Sequence, residues 1–177
     1  MSTVNFLLTG KPGVGKTTVI VKLAALLGRK AVGFYTAELR AGGRRVGFEI
    51  VTLGGKRAVL AHLNFTSSLR VSKYGVRPEN LAAALEEINT ALADPTGKYI
   101  LIDEIGKMEL FSDAFRDTVW RALDSPFPVV ATILSGPHPF ADVVKRRSDV
   151  RLIGVTPANR DNLLYQLQRE LNECSCS

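Results

Sequence analysis

Val4-Asn5-Phe6-Leu7-Leu8-Thr9-Gly10-Lys11-Pro12-Gly13-Val14-Gly15-Lys16-Thr17 runs from a short apolar stretch into a glycine-rich turn. The first six residues have the pattern of a buried strand. The next eight satisfy G-x-x-x-x-G-K-[ST] at every fixed position. Glycines let the backbone fold back so that successive N–H groups point at phosphate oxygens. The residues from Lys16 to Leu27 carry apolar side chains at helical spacing and stop at Gly28. A helix beginning there adds the positive end of its dipole to the loop. This strand–loop–helix unit predicts a triphosphate cradle. Gly10, Lys11, Pro12, Gly13, Val14, Gly15, Lys16, Thr17 and Thr18 form it, with Lys16 on the β- and γ-phosphates and the Thr17 hydroxyl on Mg²⁺.

The second decisive stretch is Tyr99-Ile100-Leu101-Ile102, an apolar strand that ends in Asp103-Glu104. Ligands gather at the carboxyl ends of strands in open parallel sheets. Asp103 is expected to hold Mg²⁺, through a water. Glu104 stands where a carboxylate can orient a water and take its proton, which points to water as the phosphoryl acceptor. This arrangement is typical of the P-loop ATPases; the Ras-like branch uses Gln instead. The ATPase arrangement inserts one strand between the loop strand and the acidic strand. Pro128–Ile133 is the candidate, with Thr132 near its end placed to contact the γ-phosphate or the water.

Around these two strands, helical and strand patterns alternate. Ala31–Thr36 reads as a strand. Pro78 opens a helix to about Ala93, closed by Asp94-Pro95-Thr96-Gly97. Ser112 is an N-cap for a helix to Leu123. Pro139–Arg147 and Pro157–Leu171 read as helices and Val150–Val155 as a strand. The fold class is therefore α/β, a mainly parallel sheet with helices on both faces. One segment breaks the pattern. Two Gly-Gly turns flank alternating residues in Arg45–Leu53, predicting an antiparallel meander inserted around residues 40–61.

The 177 residues fit a single domain, 1–177, with a disordered tail from about 173. No apolar run reaches the roughly 18–20 residues that span a bilayer, and Met1-Ser2-Thr3-Val4-Asn5 has no basic leader pattern. Cys174 and Cys176 both lie in that tail, so no disulfide framework is expected and the cytoplasm is the expected compartment. Residues 1–77 hold 13 basic against 2 acidic side chains, a net +11, and the remainder 10 against 15, a net −5. A basic half carrying the loop attracts polyanions, which makes RNA or DNA a candidate partner beside nucleoside triphosphates. No membrane partner is expected, and a monomer is favoured.

Charge developing on the γ-phosphoryl group calls for a cation beyond Lys16. Lys107, three residues past Glu104, is the nearest candidate, followed by Arg40 and Arg160. The catalytic set read from the residues is thus Glu104, Lys16 and Lys107, with Thr17 and Asp103 on the metal.

Four segments together resemble the thermophilic, cancer-related nucleoside-triphosphatase family of P-loop proteins. They are Thr9–Thr18 (TGKPGVGKTT), Gly33–Leu53 (GFYTAELRAGGRRVGFEIVTL), Ile100–Phe111 (ILIDEIGKMELF) and Thr156–Leu164 (TPANRDNLL). The resemblance implies a RecA-like α/β domain that hydrolyses ATP, GTP and other nucleoside triphosphates slowly, with weak base selectivity. It carries the Walker A role to Gly10–Thr18, the Walker B role to Asp103 and the presumed base to Glu104. Lys107 and Glu109 fall inside the matching motif. Family members usually have Pro after the Thr-Ile of the Val129–Ile133 strand; this chain has Leu134, which bears on the loop that follows.

Two other functions share the cradle. A nucleotide or small-molecule kinase needs an arginine-lined acceptor site and a lid, whereas Glu104 favours water. A nucleotide-dependent RNA- or DNA-binding switch fits the basic half, but no aromatic-rich single-strand platform accompanies it.

Overall fold

The computed structural model describes residues 4–94, 96 and 98–174, Cys174 by its backbone alone. The expectations for Met1–Thr3, for Pro95 and Gly97, for the Cys174 and Cys176 thiols and for the end of the tail fall outside the described residues.

The loop strand is β1 (Asn5–Thr9), and the loop feeds α1 (Lys16–Leu27). There follow β2 (Ala31–Ala41), β3 (Arg44–Thr52), β4 (Arg57–His62), β5 (Arg70–Val71) and β6 (Tyr74–Val76). After a 3₁₀ turn at Pro78–Leu81 come α2 (Ala82–Ala93), β7 (Tyr99–Ile105) and α3 (Asp113–Leu123). The chain closes with β8 (Val129–Ile133), α4 (Pro139–Lys145), β9 (Val150–Gly154) and α5 (Arg160–Cys174). All nine strands among the described residues lie in one sheet, ordered β5-β6-β4-β3-β2-β7-β8-β1-β9.

From β2 to β9 the pairing is parallel. β8 lies between β1 and β7, so one strand separates the loop strand from the acidic strand, as its sequence suggests. Alternation along each strand sends side chains to two helical layers. On one face, Phe6 and Leu8 pack with Ile20 and Leu23 of α1 and Leu163 and Leu167 of α5. On the other, Leu7, Ile100 and Ile102 pack with Ile88 of α2, Phe115 and Val119 of α3 and Val144 of α4. Each such side chain contributes about 1.5–3 kcal/mol when fully buried.

The antiparallel portion is larger than the pattern around 40–61 implies. β2 is one long strand whose first residues pair with β7, while Phe34–Ala41 pair with β3. The turn narrows to Gly42-Gly43, with φ of 54° and 74°, conformations that suit a tight two-residue hairpin. β4, β6 and β5 continue the sheet beyond β3. This extension raises a wall beside the carboxyl ends of the parallel strands.

Local signals at the helix starts hold. The Ser112 hydroxyl accepts from Phe115 N at 3.1 Å and caps α3. Ahead of α5, Thr156 N donates to Asn159 Oδ1 at 2.8 Å and Asn159 N donates to Thr156 Oγ1 at 3.3 Å, a reciprocal cap. It fixes where Arg160 leaves the sheet.

Candidate active site

The loop from Gly10 to Gly15 joins the end of β1 to the start of α1. Gly13 and Gly15 have φ of 77° and 109°, a region that other residues rarely adopt. No acidic side chain occupies the first turn of α1, so its positive end is left for an anion. The Lys16 ammonium folds over the loop and donates to Gly10 O at 2.8 Å and Lys11 O at 3.2 Å.

Asp103 sits opposite, at the carboxyl end of β7, and is only 2% exposed. Its Oδ2 accepts from Thr17 Oγ1 at 2.8 Å and from Thr36 N at 3.3 Å; its Oδ1 accepts from Thr132 Oγ1 at 2.6 Å. Thr36 Oγ1 also donates to the Asp103 carbonyl at 2.6 Å. Strands β2 and β8, flanking β7, thereby clamp the carboxylate from both sides, and the start of α1 meets it in front. Burial pushes the Asp103 carboxyl above the usual aspartate range; the three donors and Lys16 pull against that.

Glu104 is half-buried, and its carboxyl group lies against Gly106, where a Cβ would collide with it. Burial raises its pKa most, the charge of Asp103 raises it further, and Lys16 opposes both. Glu109, 3% exposed in the short 3₁₀ turn Glu109–Phe111, is pushed up to about 8 by burial and by Glu104.

These groups line a cleft of about 560 Å³, within the usual range for small-molecule sites. The cradle supplies Gly10, Pro12, Lys16 and Thr17, and β7 with its following turn supplies Asp103, Glu104, Lys107 and Glu109. Lys107 therefore faces the site, as the sequence suggests, and is exposed.

Three expected residues are placed differently. The Thr132 side chain is fully buried and donates to Asp103, so it positions the carboxylate, in place of the expected contact with phosphate or water. Arg40 does not line the cleft. It is exposed and pairs with Glu38 at 2.7 Å, with a further bond to Gly43 O at 3.1 Å. Arg160 donates to Val14 O at 3.2 Å and borders the opposite side of the loop. The cation that the meander does bring to the cleft is Arg45, held by Glu38 at 2.8 Å and by Tyr74 Oη at 3.2 Å. The sequence reading gave no role to Arg45, Glu38 or Thr36. Leu134 also acts: its N–H donates to Ile105 O at 3.2 Å, a bond that Pro could not make, and it lines the cleft.

Comparison with known proteins identifies a family. A family profile described as NTPase matches residues 5–168. The nucleoside-triphosphatase THEP1 of Natranaerobius thermophilus is 48% identical, over 98% of this chain and 99% of its own. The human cancer-related nucleoside-triphosphatase is 40% identical, over 89% and 90%. The crystal structure of THEP1 from Aquifex aeolicus superposes with a TM-score of 0.86 at 40% identity, covering 95% of this chain and 99% of that one. The clamp around Asp103, the loop before it and these matches agree: the chain belongs to the nucleoside-triphosphatase family of P-loop proteins.

Proposed function

We propose that this NTPase hydrolyses ATP, GTP and other nucleoside triphosphates at the cleft between Gly10–Thr18 and Asp103–Glu104. The observation that carries the reading is the meeting of Thr17 and Asp103, 2.8 Å apart, beneath the loop and beside Glu104. Hard oxygen donors, one hydroxyl and one carboxylate, suit Mg²⁺, which takes few protein ligands and keeps water and phosphate oxygens around it. Thr17 and Asp103 would hold the ion, Asp103 through a water; when bound, it neutralises charge on the phosphate oxygens.

The residues divide the work as follows. Loop N–H groups and the positive end of α1 bind the β-phosphate. On nucleotide entry the Lys16 ammonium exchanges the Gly10 and Lys11 carbonyls for phosphate oxygens. Glu104 accepts a proton from water as the water oxygen bonds to the γ-phosphorus. The bond from that phosphorus to the bridging oxygen breaks, leaving nucleoside diphosphate and phosphate. A carboxylate whose pKa is raised by burial is a better proton acceptor than a solvated one. Lys107 and Arg45 face the same cleft as the cations for transition-state charge. Thr132 and Thr36 keep Asp103 oriented.

Among the described residues no helix is long and apolar enough to cross a membrane; the reading places a monomer in the cytoplasm. The test is phosphate release from purified protein with ATP, GTP, CTP and UTP, each with Mg²⁺ or with EDTA. Release from several nucleotides, abolished by EDTA, is expected. No release from any of them, or release that EDTA leaves unchanged, would refute the reading.

A further inference from the structure

The loop separates two hollows. On one side is the catalytic cleft; on the other, a groove of about 440 Å³ runs between α1 and α5, which pack side by side. Gly15, Thr18 and Lys22 line the α1 wall, and Arg160, Asp161 and Tyr165 the α5 wall. Gly15, Thr18 and Lys22 are spaced by three and four residues and Asp161 and Tyr165 by four, as single faces of the two helices. The groove is continuous with the cradle: Gly15 belongs to the loop, and Thr18 follows the metal-side Thr17. Arg160 donates to Val14 O, so it is fixed to the loop from this side.

A triphosphate with its γ end beside Glu104 and its chain over Lys16 and Thr17 leads its nucleoside past Thr18. The catalytic cleft also has a ring, Phe48, but it packs edge-on against Tyr74 with 5.2 Å between centroids and lies under the Arg45 guanidinium. The groove offers an exposed ring. Tyr165 is 67% exposed, the highest value among the exposed large hydrophobic side chains described, and it projects from α5 one turn past Asp161. Beneath it, Leu164 is 8% exposed and forms an apolar floor.

We infer that the groove between α1 and α5 is the nucleoside site of this enzyme, with Tyr165 as the stacking surface for the base. The inference rests on the triphosphate reading of the loop. An aromatic face accepts any base because every base has a π-face, whereas selectivity requires hydrogen bonds to base edges. A Tyr165 stack therefore gives affinity without strong discrimination, with purines gaining more than pyrimidines from their larger area.

The test is calorimetric titration of the parent, Tyr165→Ala, Tyr165→Phe and Lys16→Ala with the β,γ-imido analogues of ATP and UTP and with inorganic tripolyphosphate. Tripolyphosphate has the phosphates and no nucleoside. Tyr165→Ala is expected to bind the ATP analogue about tenfold more weakly, the UTP analogue less so, and tripolyphosphate as the parent does; Tyr165→Phe keeps parental affinity for all three. Unchanged affinity of Tyr165→Ala for the ATP analogue, or an equal loss for tripolyphosphate, overturns the inference. Lys16→Ala should weaken all three ligands. If it leaves tripolyphosphate binding intact, the cradle reading fails instead, and the nucleoside site fails with it.

Discussion

Replacing Glu109 by Gln removes a carboxyl group that the fold keeps in an apolar, negatively charged setting. The ordinary glutamate value is 4.5, and in the folded chain burial and the neighbouring Glu104 raise it to about 8. Between those values the native chain keeps a proton on Glu109 that the unfolded chain releases. Native stability therefore falls as pH rises through the window, by up to about 1.4 kcal/mol per pH unit. Below 4.5 both states are protonated and the penalty vanishes. Gln has the shape of the protonated acid and does not titrate. Its amide can add a constant offset, but it removes the pH dependence. The stability of Glu109→Gln relative to the parent should thus widen by about 2 kcal/mol between pH 5 and pH 7. Urea unfolding at pH 5, 6, 7 and 8, without nucleotide or metal, measures it. Asp103 and Glu104 titrate in both proteins, so their contributions largely cancel in the difference. A difference that stays flat across this range would refute the reasoning, because it would mean that Glu109 is charged in the native state at pH 7.

Two further substitutions probe the supports of the site. Thr132→Val removes the 2.6 Å bond to Asp103 and keeps the volume; loss of such an orienting bond should raise the Mg²⁺ concentration for half-maximal activity about 10–100-fold, and an unchanged Mg²⁺ titration would assign Thr132 to packing alone. Gly33→Ala introduces a Cβ against the Leu101 carbonyl at a φ of 124°. It should destabilise the chain by at least about 3 kcal/mol, read as a fall of roughly 6–12 °C in Tm; a Tm equal to the parent's would show that β2 and β7 can separate there without penalty.

The cradle and the acidic strand were legible because their chemistry needs particular residues at fixed spacing, and the apolar strands before them set their direction. The single strand between them was legible from its pattern: Pro128–Ile133 is apolar apart from Thr132, as suits a strand covered on both faces. The meander was harder. Arg40 was a candidate as a cation in the meander turn. The pairing of β2 with β3 shifts between Leu39 and Arg40, a strand irregularity just before that turn. Glu38 then lines the cleft, Arg40 turns out to solvent, and Arg45 enters from the opposite strand. Nothing local in Gly42-Gly43-Arg44-Arg45 specifies such a shift. The role of Thr132 was hidden differently. A threonine at a strand end can face either a ligand or the neighbouring strand, and only the β7–β8 register places its hydroxyl on Asp103. Tyr165 has the spacing of an ordinary helix residue; its exposure follows from how α5 lies against α1.

Glu104→Gln, measured in two assays on one preparation, tests the water-activating role of Glu104 most directly. Phosphate release with saturating Mg²⁺ and ATP should fall by about 10²–10⁴-fold, while equilibrium binding of ATP with Mg²⁺ should match the parent. Release near the parental rate would show that another group takes the proton, and loss of binding in step with release would make Glu104 a ligand of metal or nucleotide; either result contradicts a water-activating Glu104.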